Sequence, residues 1–280
     1  MPPRRLRLDA ELVRRGLARS RDHASELIAA GRVTVSGGRA TKPATGVTTD
    51  VAIVVADDPD RPDYVSRGGH KLAGALAAFA PGGLRVSGRR CLDAGASTGG
   101  FTDVLLRAGA REVVAVDVGY GQLAWSLQSD ERVRVHDRTN IRDLTPDLIG
   151  GPVDVVVGDL SFISLTLVLD ALLGVTADDG DLALMVKPQF EVGKDRVGKG
   201  GVVRDRDLWV EAVADVAAAA GSRGWGTRAV APSPLPGPSG NVEFFLWLRR
   251  GEGTLPTDER DAVVRAGVDD LSGPGEKVGS

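Results

Sequence analysis

The N-terminal part of the chain changes from helical to strand-like spacing of its apolar residues. Leucines and valines first recur at helical intervals, with Asp9 as the expected N-cap of one helix and Ser20 as that of a second. Alternating valines bounded by glycines then indicate short strands. The predicted elements are, in order, helices at 10–17 and 21–30 and strands at 31–36 and 52–55. We therefore expect a compact α+β unit over residues 1–60.

Beyond a polar, proline-containing stretch, the chain alternates between apolar strands and helices. This alternation is typical of a parallel sheet that is covered by helices on both faces. The runs that read as buried strands are 90–93, 112–117, 132–136, 153–159, 181–187, 227–231 and 242–248. Segment 189–201 reads as a mobile loop, and a helix is expected over 258–271. The sequence thus predicts a linker at 61–67, an α/β domain at 68–250 and a polar tail at 251–280.

Composition narrows the class of protein. Of the 280 residues, 42% are hydrophobic and 26% are charged, as in an ordinary soluble globular protein. No run approaches the roughly 18 apolar residues that a membrane-spanning helix needs. The basic N-terminus has no apolar segment behind it, so we expect no signal peptide and a cytoplasmic protein. The single cysteine, Cys91, excludes an intrachain disulfide framework, and three scattered histidines give no metal-ligand spacing.

The net charge of −3 conceals an uneven distribution. Ten basic residues lie between Arg4 and Lys42 against four acidic ones, which is typical of a unit that contacts a polyanion. A solvated helix face without a specific role is the alternative interpretation. Few aromatic side chains are present there for stacking on bases, so contacts to phosphates and to RNA shape are favoured. The candidate RNA-binding residues are Arg4, Arg5, Arg14, Arg19, Arg21 and Arg32.

A strand, a glycine-rich turn and a helix follow one another at 90–108. Glycines permit a tight turn and let backbone N–H groups approach a ligand closely. Asp93 precedes the first glycine, where it repels a dinucleotide pyrophosphate and attracts the protonated amine of S-adenosylmethionine. Asp117, at the end of the next strand, can bind both hydroxyls of a ribose. A nicotinamide dinucleotide, or aspartates that merely cap helices, are the alternatives. The candidate cofactor-binding residues are Asp93, Gly95, Ala96, Ser97, Thr98, Gly99, Gly100, Phe101, Asp117, Asn140 and Asp159.

Four ionisable residues are candidates for catalysis: Lys71, Asp159, Lys187 and Glu243. Asp159 and Lys187 end apolar strands, and the carboxyl ends of strands in such a sheet surround the ligand crevice. A ribose hydroxyl must lose its proton as it attacks a sulfonium methyl group. A lysine serves as the base when desolvation or a second cation favours its neutral form. Two ordinary Lys–carboxylate bridges at strand ends are the alternative interpretation.

These four residues resemble the Lys-Asp-Lys-Glu pattern of FtsJ-type ribose methyltransferases. Their flanking motifs are similar to those of the TlyA family, whose members methylate cytidine 2′-hydroxyls in bacterial ribosomal RNA and were earlier described as haemolysins. The motifs are SRGGHKL at 66–72, GDLSFISL at 158–165, VKPQFE at 186–191 and PGPSGNVE at 236–243. The resemblance covers about residues 4–248.

The resemblance implies a Rossmann-like class I methyltransferase domain with a seven-stranded, mostly parallel sheet. It also implies that the α+β unit over residues 1–60 is a small RNA-binding fold first known in a ribosomal protein. The cofactor would be S-adenosylmethionine, and the substrate would be 16S and/or 23S RNA within ribosomal subunits. Lys187 would be the base, Asp159 and Lys71 would organise the hydroxyl, and Glu243 would hold a lysine.

Other functions stay open at this point. One alternative is a non-catalytic RNA-binding factor of ribosome assembly that keeps the same fold. The intact glycine-rich turn and the presence of all four ionisable residues weigh against it. A membrane-lytic activity, which the older family name suggests, lacks a spanning segment or a continuous amphipathic helix with large apolar residues. We expect a monomer with no metal and no membrane partner.

Overall fold

The computed structural model of the protein describes residues 5–56 and 62–267. The chain divides into two compact units between Asp63 and Tyr64, inside the segment predicted as a linker. Parts of five predicted features lie outside the described residues: Arg4, both ends of the unit at 1–60, position 61 of the linker, the end of the helix at 258–271 and the last part of the tail.

The smaller unit is an α+β fold, as predicted. Its helices are α1, Leu8–Arg14, and α2, Arg21–Ala29, and its strands are β1, Leu6–Arg7, β2, Val33–Val35, β3, Gly38–Arg39, β4, Gly46–Val47, and β5, Ile53–Val55. β1 pairs antiparallel with β4, and β2 lies between β3 and β5 in a second antiparallel sheet. Leu8, Leu12, Leu27 and Ile28 project from the helices into a core that Val33 helps to close. Their burial explains the helical spacing of the apolar residues.

The two helix caps expected in this unit have different outcomes. Ser20 caps α2 as predicted, because its Oγ accepts a hydrogen bond of 3.1 Å from the His23 backbone nitrogen. The prediction for Asp9 is wrong, because α1 begins one residue earlier, at Leu8. The Leu8 and Asp9 N–H groups donate instead to the carbonyl oxygens of Thr45 and Pro43, at 2.8 and 3.0 Å. This neighbouring loop supplies the acceptors that a capping side chain would otherwise provide.

Strands and helices of the larger unit alternate along the chain. They are α3, Gly68–Phe79, β6, Arg90–Ala94, α4, Gly100–Arg107, β7, Glu112–Val116, α5, Trp125–Gln128, β8, Val133–His136, β9, Val153–Gly158, α6, Leu169–Gly174, β10, Thr176–Val186, α7, Pro188–Glu191, α8, Arg206–Gly221, β11, Trp225–Pro232, β12, Phe244–Arg250, and α9, Thr257–Ala266. Each predicted strand is present. The largest difference is at β10, which begins at Thr176 rather than at position 181.

The strands of the larger unit form one sheet in the order β11-β12-β10-β9-β6-β7-β8. Neighbours from β10 to β8 are parallel, whereas β12 is antiparallel to both of its neighbours. The prediction of a seven-stranded, mostly parallel sheet is confirmed. The chain runs outward from β6 through β7 and β8, and then returns to β9 on the other side of β6. This reversal leaves a crevice at the carboxyl ends of β6 and β9, where ligands of open α/β sheets bind.

Helices cover both faces of this sheet, which accounts for the near-continuous apolar runs of its central strands. In β9, Val156 belongs to the hydrophobic cluster under α6 and α8, whereas Val155 and Val157 belong to the cluster under α3 and α4. Cys91 is fully buried in the second cluster. Burial raises the pKa of its thiol to about 12, so this cysteine acts as a small apolar residue.

The segment 189–201, predicted as a loop, begins with helical turns instead. Pro188 starts α7, since proline suits the first position of a helix, and Arg196 pairs with Glu211 at 2.6 Å. α9 confirms the predicted C-terminal helix within the described residues, and its Val264 is buried. Across 5–56 and 62–267, no helix has the length and hydropathy needed to cross a bilayer. No cluster of ligating side chains in these ranges is arranged to hold a metal ion.

Replacing Phe244 with alanine is expected to lower the free energy of unfolding of the larger unit by about 3–5 kcal/mol. Phe244 is fully buried, and its ring lies 6.0 Å from that of Trp209, so the change leaves a cavity between the sheet and α8. All four tryptophans lie in this unit, and their fluorescence during urea unfolding measures the effect. The control is Leu167→Ala, at a residue that is 61% exposed, which should change the free energy by less than about 0.5 kcal/mol. Equal losses would contradict this description of the core.

Candidate active site

A cavity of about 270 Å³ opens at the carboxyl ends of β6 and β9. Its walls come from the start of α3, the turn after β6, the residues after β9, the end of β10 and the proline-rich segment before β12. The predicted site residues that line it are Lys71, Gly95, Ala96, Ser97, Thr98, Gly100, Phe101, Asp159 and Lys187. Those that do not are Asp93, Gly99, Asp117, Asn140 and Glu243. The sheet topology therefore brings both candidate functions, cofactor binding and catalysis, to one place.

Two glycines let other segments approach the turn after β6. Gly95 has a φ of +85°, and a Cβ there would lie 3.1 Å from the Asp159 carbonyl oxygen, so a side chain would be strained and crowded. Gly100 begins α4, and a Cβ there would lie 2.8 Å from the Gly69 backbone nitrogen in α3. The glycines thus allow α3, which carries Lys71, and the segment after β9 to border the same cavity as the turn.

Asp93 lies in β6, completely buried beneath the turn. Thr102 donates a hydrogen bond of 2.7 Å to its Oδ2, whereas its Oδ1 has no hydrogen-bond partner among the described residues. Burial raises the pKa of Asp93 to about 7 against the effect of the Thr102 bond, and the carboxylates of Asp159 and Asp117 act in the same direction as burial. A cationic group at Oδ1 would favour the ionised form and supply the missing partner.

Asp117 follows β7 and holds the turn from the neighbouring strand. Its Oδ2 accepts a hydrogen bond of 2.8 Å from the Ser97 backbone nitrogen, and its Oδ1 accepts one of 2.6 Å from that of Gly119. Ser97 has a φ of +47°, so the bond to Asp117 helps to hold a strained residue. Each carboxylate oxygen has a second lone pair, and the side chain can still accept hydrogen bonds from sugar hydroxyls.

Phe101 and Asn140 differ in their relation to the cavity. Phe101 lines it and also belongs to the core, with its ring 5.9 Å from that of Phe245. Asn140 lies outside the lining, and its Oδ1 accepts a hydrogen bond of 3.0 Å from the Arg142 backbone nitrogen to cap a short 3-10 turn. This local role accounts for the residue, and its contact with a cofactor stays a prediction.

Lys71 and Glu243 form one of two ion pairs at the cavity. The lysine lies near the start of α3 and the glutamate just before β12, 172 positions away, with Nζ 2.5 Å from Oε2. Their side chains are 8% and 1% exposed. Because a buried charge without a partner is costly, each side chain stabilises the other. Gln189 donates a hydrogen bond of 3.5 Å to the second carboxylate oxygen, Oε1.

Lys187 and Asp159 form the second pair, with Nζ 2.6 Å from Oδ1. They follow the paired parallel strands β10 and β9, so the structure places them side by side at the strand ends where the sequence predicted them. The lysine side chain is only 7% exposed, and its Nζ also donates a hydrogen bond of 2.9 Å to Ser161 Oγ. Both members of the pair line the cavity, so a hydroxyl bound there can reach the amine.

Three polar residues of the lining were not among the predicted site residues: Ser66, Arg67 and Ser161. Arg67 donates a hydrogen bond of 3.0 Å from Nη2 to the Pro236 carbonyl oxygen and so links the start of α3 to the proline-rich segment. Ser161 lies within a motif that the sequence analysis recognised, two positions after Asp159. That proximity is the one signal that could have indicated it, because the direction of a loop side chain is not encoded in residue spacing.

Most of the predicted RNA-binding arginines of the smaller unit lie on its surface. The exposed ones among the described residues are Arg5, Arg14, Arg19 and Arg21. Buried acids orient two of them: Glu11 lies 2.6 Å from the Arg14 guanidinium, and Asp9 lies 2.9 Å from that of Arg21. These guanidinium groups are held on the surface. Because a guanidinium has five N–H bonds, each can donate further hydrogen bonds to a ligand.

Arg32 differs from the other arginines because its side chain is only 12% exposed. Its guanidinium pairs with Asp63 at 2.6 Å, and His23 Nε2 lies 3.2 Å from the other carboxylate oxygen. Burial acts to raise the pKa of Asp63, but Arg32 and His23 outweigh it and hold the pKa below its ordinary value. Arg32 therefore stabilises the fold of the smaller unit and presents little surface to a phosphate.

Comparison with known protein families agrees with the division of the chain. The profile of the FtsJ-like methyltransferase family matches residues 64–250. The profile of the S4 domain matches residues 6–53. The two matches fall in the larger and the smaller unit, respectively.

Individual relatives match most of the chain. A 16S/23S rRNA (cytidine-2′-O)-methyltransferase, TlyA of Mycobacterium tuberculosis, is 63% identical over 88% of this chain and 90% of its own length. The rRNA methyltransferase YqxC of Bacillus subtilis is 42% identical over 94% of each chain. A solved structure described as a hemolysin from Streptococcus thermophilus is 36% identical, covers 95% of this chain and 97% of its own, and superimposes with a TM-score of 0.71. The chain therefore belongs to the FtsJ-like methyltransferase family and, within it, to the TlyA group.

Proposed function

We propose that the chain methylates the 2′-hydroxyl of cytidine in ribosomal RNA, with S-adenosylmethionine as the methyl donor. The observation that carries this proposal is that two Lys–carboxylate pairs, Lys71–Glu243 and Lys187–Asp159, meet the cavity bordered by the glycine-rich turn. The name of the Mycobacterium tuberculosis relative, a 16S/23S rRNA (cytidine-2′-O)-methyltransferase, supports the same acceptor. The proposed substrate is 16S and/or 23S RNA within ribosomal subunits.

The residues at the turn fit S-adenosylmethionine. Asp93 has a buried carboxylate oxygen without a hydrogen-bond partner in the described ranges, which suits the ammonium of the amino-acid portion. The N-terminus of α4, beginning at Gly100, attracts its carboxylate, and Asp117 can accept hydrogen bonds from the ribose hydroxyls. When bound, the cofactor supplies an electrophilic methyl group on a sulfonium centre. A dinucleotide fits less well, because its pyrophosphate would lie close to the carboxylate of Asp93.

Lys187 is the proposed base for the acceptor hydroxyl. Its Nζ is held by Asp159 and Ser161 at the cavity, so it can take the proton that the ribose oxygen loses. Lys71 lines the same cavity with its charge balanced by Glu243, and it orients the hydroxyl by donating a hydrogen bond.

The smaller unit is the proposed RNA-docking part of the enzyme. It matches the S4 domain, and its surface carries Arg5, Arg14, Arg19 and Arg21. Contacts from these arginines to phosphates would supply affinity without reading the base sequence. Arg4, outside the described residues, remains in the proposed set, whereas the buried pairing of Arg32 with Asp63 makes it the weakest member.

Replacing Lys187 with arginine should abolish methyl transfer to RNA while leaving cofactor binding intact. Arginine keeps the positive charge beside Asp159 but stays protonated and is no base. Loss of the general base should lower the rate by roughly 10²–10⁴-fold. The measurement is transfer of labelled methyl groups to ribosomal subunits that lack the modification, with calorimetry to follow cofactor binding. Lys187→Ala should behave in the same way, and full turnover by either variant would exclude Lys187 as the base.

The affinity for S-adenosylmethionine should weaken as the pH falls below about 7, the pKa to which burial raises Asp93. Below that pH the carboxyl of the free protein is protonated, and binding of the ammonium must first displace this proton. Affinity should therefore fall by up to roughly tenfold per pH unit and level off above the pKa. In Asp93→Asn the affinity should be low and should lose this dependence. A wild-type affinity that stays constant from pH 5 to 8 would contradict the role of Asp93.

Replacing Arg5 and Arg19 with alanine should weaken RNA binding and reduce its dependence on salt. Each phosphate contact that is lost should lower the slope of log K against log salt concentration by roughly 1. Binding of S-adenosylmethionine should be unchanged. The control is Arg223→Ala, an arginine of the larger unit that pairs with Asp170, which should leave the slope as it is. Equal slopes for all three proteins would argue against docking through the smaller unit.

A further inference from the structure

The segment that follows β9 is attached at both ends to the segment that follows β10. At one end, Asp159 and Ser161 both contact Lys187 Nζ, at 2.6 and 2.9 Å. At the other end, Glu191 in α7 accepts hydrogen bonds from Ser164 Oγ and from the Leu165 backbone nitrogen, at 2.5 and 2.9 Å. Residues 159–165 therefore form a turn, here called the β9 turn, whose two ends are fixed to positions 187 and 191.

The β9 turn needs this support because its middle is conformationally strained. Phe162 has a φ of +64°, in the left-handed region that a residue with a bulky side chain rarely adopts. Its side chain is 91% exposed, with its ring 5.3 Å from that of Phe190, so burial does little to hold it. Glu191 is partly buried, and burial raises the pKa of its carboxyl against the effect of the bonds from Ser164 and Leu165. A carboxylate taken out of water in this way is stabilised only by keeping both bonds.

The contacts at Lys187 determine which direction of the amine stays open. A neutral amine has two N–H bonds and one lone pair, arranged tetrahedrally with the Cε bond. One N–H is directed at Ser161 Oγ in a hydrogen bond. Asp159 Oδ1 is an ion-pair partner of Nζ without the angles of a hydrogen bond, and its negative charge attracts the second N–H and repels the lone pair. The lone pair then takes the remaining direction. Asp159, Ser161 and Lys187 all line the cavity, so that direction is available to a hydroxyl bound in it. With Asp159 alone, the second N–H and the lone pair could exchange places by rotation about the Cε–Nζ bond.

We propose that Ser161 is a positioning residue for Lys187: its hydroxyl accepts one N–H of the amine, so that the lone pair faces the substrate hydroxyl, and Glu191 keeps Ser161 in place by holding the far end of the β9 turn. This inference rests on the proposed function, in which Lys187 is the base. Ser161 takes no proton from the substrate. The proton moves from the ribose oxygen to Lys187 Nζ, and the hydrogen bond to Ser161 and the ion pair with Asp159 both persist in the ammonium form.

The test is the rate of a single turnover of labelled methyl transfer, measured with the full-length protein and saturating unmodified ribosomal subunits. Ser161→Ala should lower that rate roughly ten- to a hundredfold, since misdirection of a reacting group costs rate in this range. The concentrations of RNA and of S-adenosylmethionine that give half-saturation should stay within a factor of about two. Ser161→Thr, which keeps the hydroxyl, should restore most of the rate. A normal rate in Ser161→Ala, or a loss that threonine does not restore, would overturn the proposal.

Glu191→Ala tests the second half of the proposal. Alanine removes the acceptor of both bonds to the β9 turn, and the rate should fall roughly three- to tenfold. Because both changes act on one contact, the double variant Ser161→Ala/Glu191→Ala should be no slower than Ser161→Ala by more than about twofold. If the fold reduction in rate of the double variant equals the product of the two single-variant reductions, Glu191 acts independently of Ser161. That result would overturn the role proposed for Glu191.

The same experiment separates this inference from the function on which it rests. If the wild-type protein places no label on RNA ribose, the proposed function fails. A second outcome is that the wild-type protein labels RNA ribose, Lys187→Arg is inactive and Ser161→Ala is fully active. In that case only the positioning role of Ser161 fails. Turnover by Lys187→Arg would overturn both the assignment of the base and the role given to Ser161.

Discussion

The active site depends on one constraint: a charge at the end of a buried strand has to be paired within the protein. Asp159 and Lys187 come directly after two central strands, and Glu243 comes directly before a third. Lys71 projects from a helix that covers the same edge. Lys71, Lys187 and Glu243 are buried, whereas Asp159 keeps 25% of its side chain exposed. Because a buried charge without a partner is costly, the four side chains form two ion pairs. The pairing keeps both lysines beside the cavity in a defined position, which is a requirement for proton transfer.

The sheet topology makes this pairing possible between residues that are far apart in sequence. The reversal of strand order at β6 opens the crevice, and the glycines of the turn allow α3 and the segment after β9 to reach it. The antiparallel strand β12 lies beside β10, so Glu243, just before β12, enters next to the end of β10. The position of the glycine-rich turn and the pairing of the four ionisable residues therefore both follow from one arrangement of strands. Asp93 lies beneath the glycine-rich turn and outside these two ion pairs. It is a buried carboxyl that can accept a cationic ligand.

Much of this was accessible from sequence, because it depends on patterns that repeat along the chain. The seven strands follow from their apolar runs, and the adjacency of Asp159 and Lys187 follows from their positions at strand ends. Features that depend on the approach of a distant segment could not be predicted. Asp9 is not a helix cap because a loop at positions 43–45 already supplies the acceptors. Glu243 pairs with Lys71, and Ser161 accepts a hydrogen bond from Lys187. The spacing of residues along the chain does not indicate either contact.

The proposed acceptor of the methyl group is a ribose oxygen of cytidine. Alkaline hydrolysis tests this acceptor directly, because a 2′-hydroxyl is needed for cleavage of the adjoining phosphodiester and a 2′-O-methyl group prevents that cleavage. Ribosomal RNA labelled by the enzyme and digested with alkali should carry all of its label in alkali-stable dinucleotides whose 5′ residue is 2′-O-methylcytidine. Label in mononucleotides would show methylation of a base and would exclude the ribose oxygen as the acceptor.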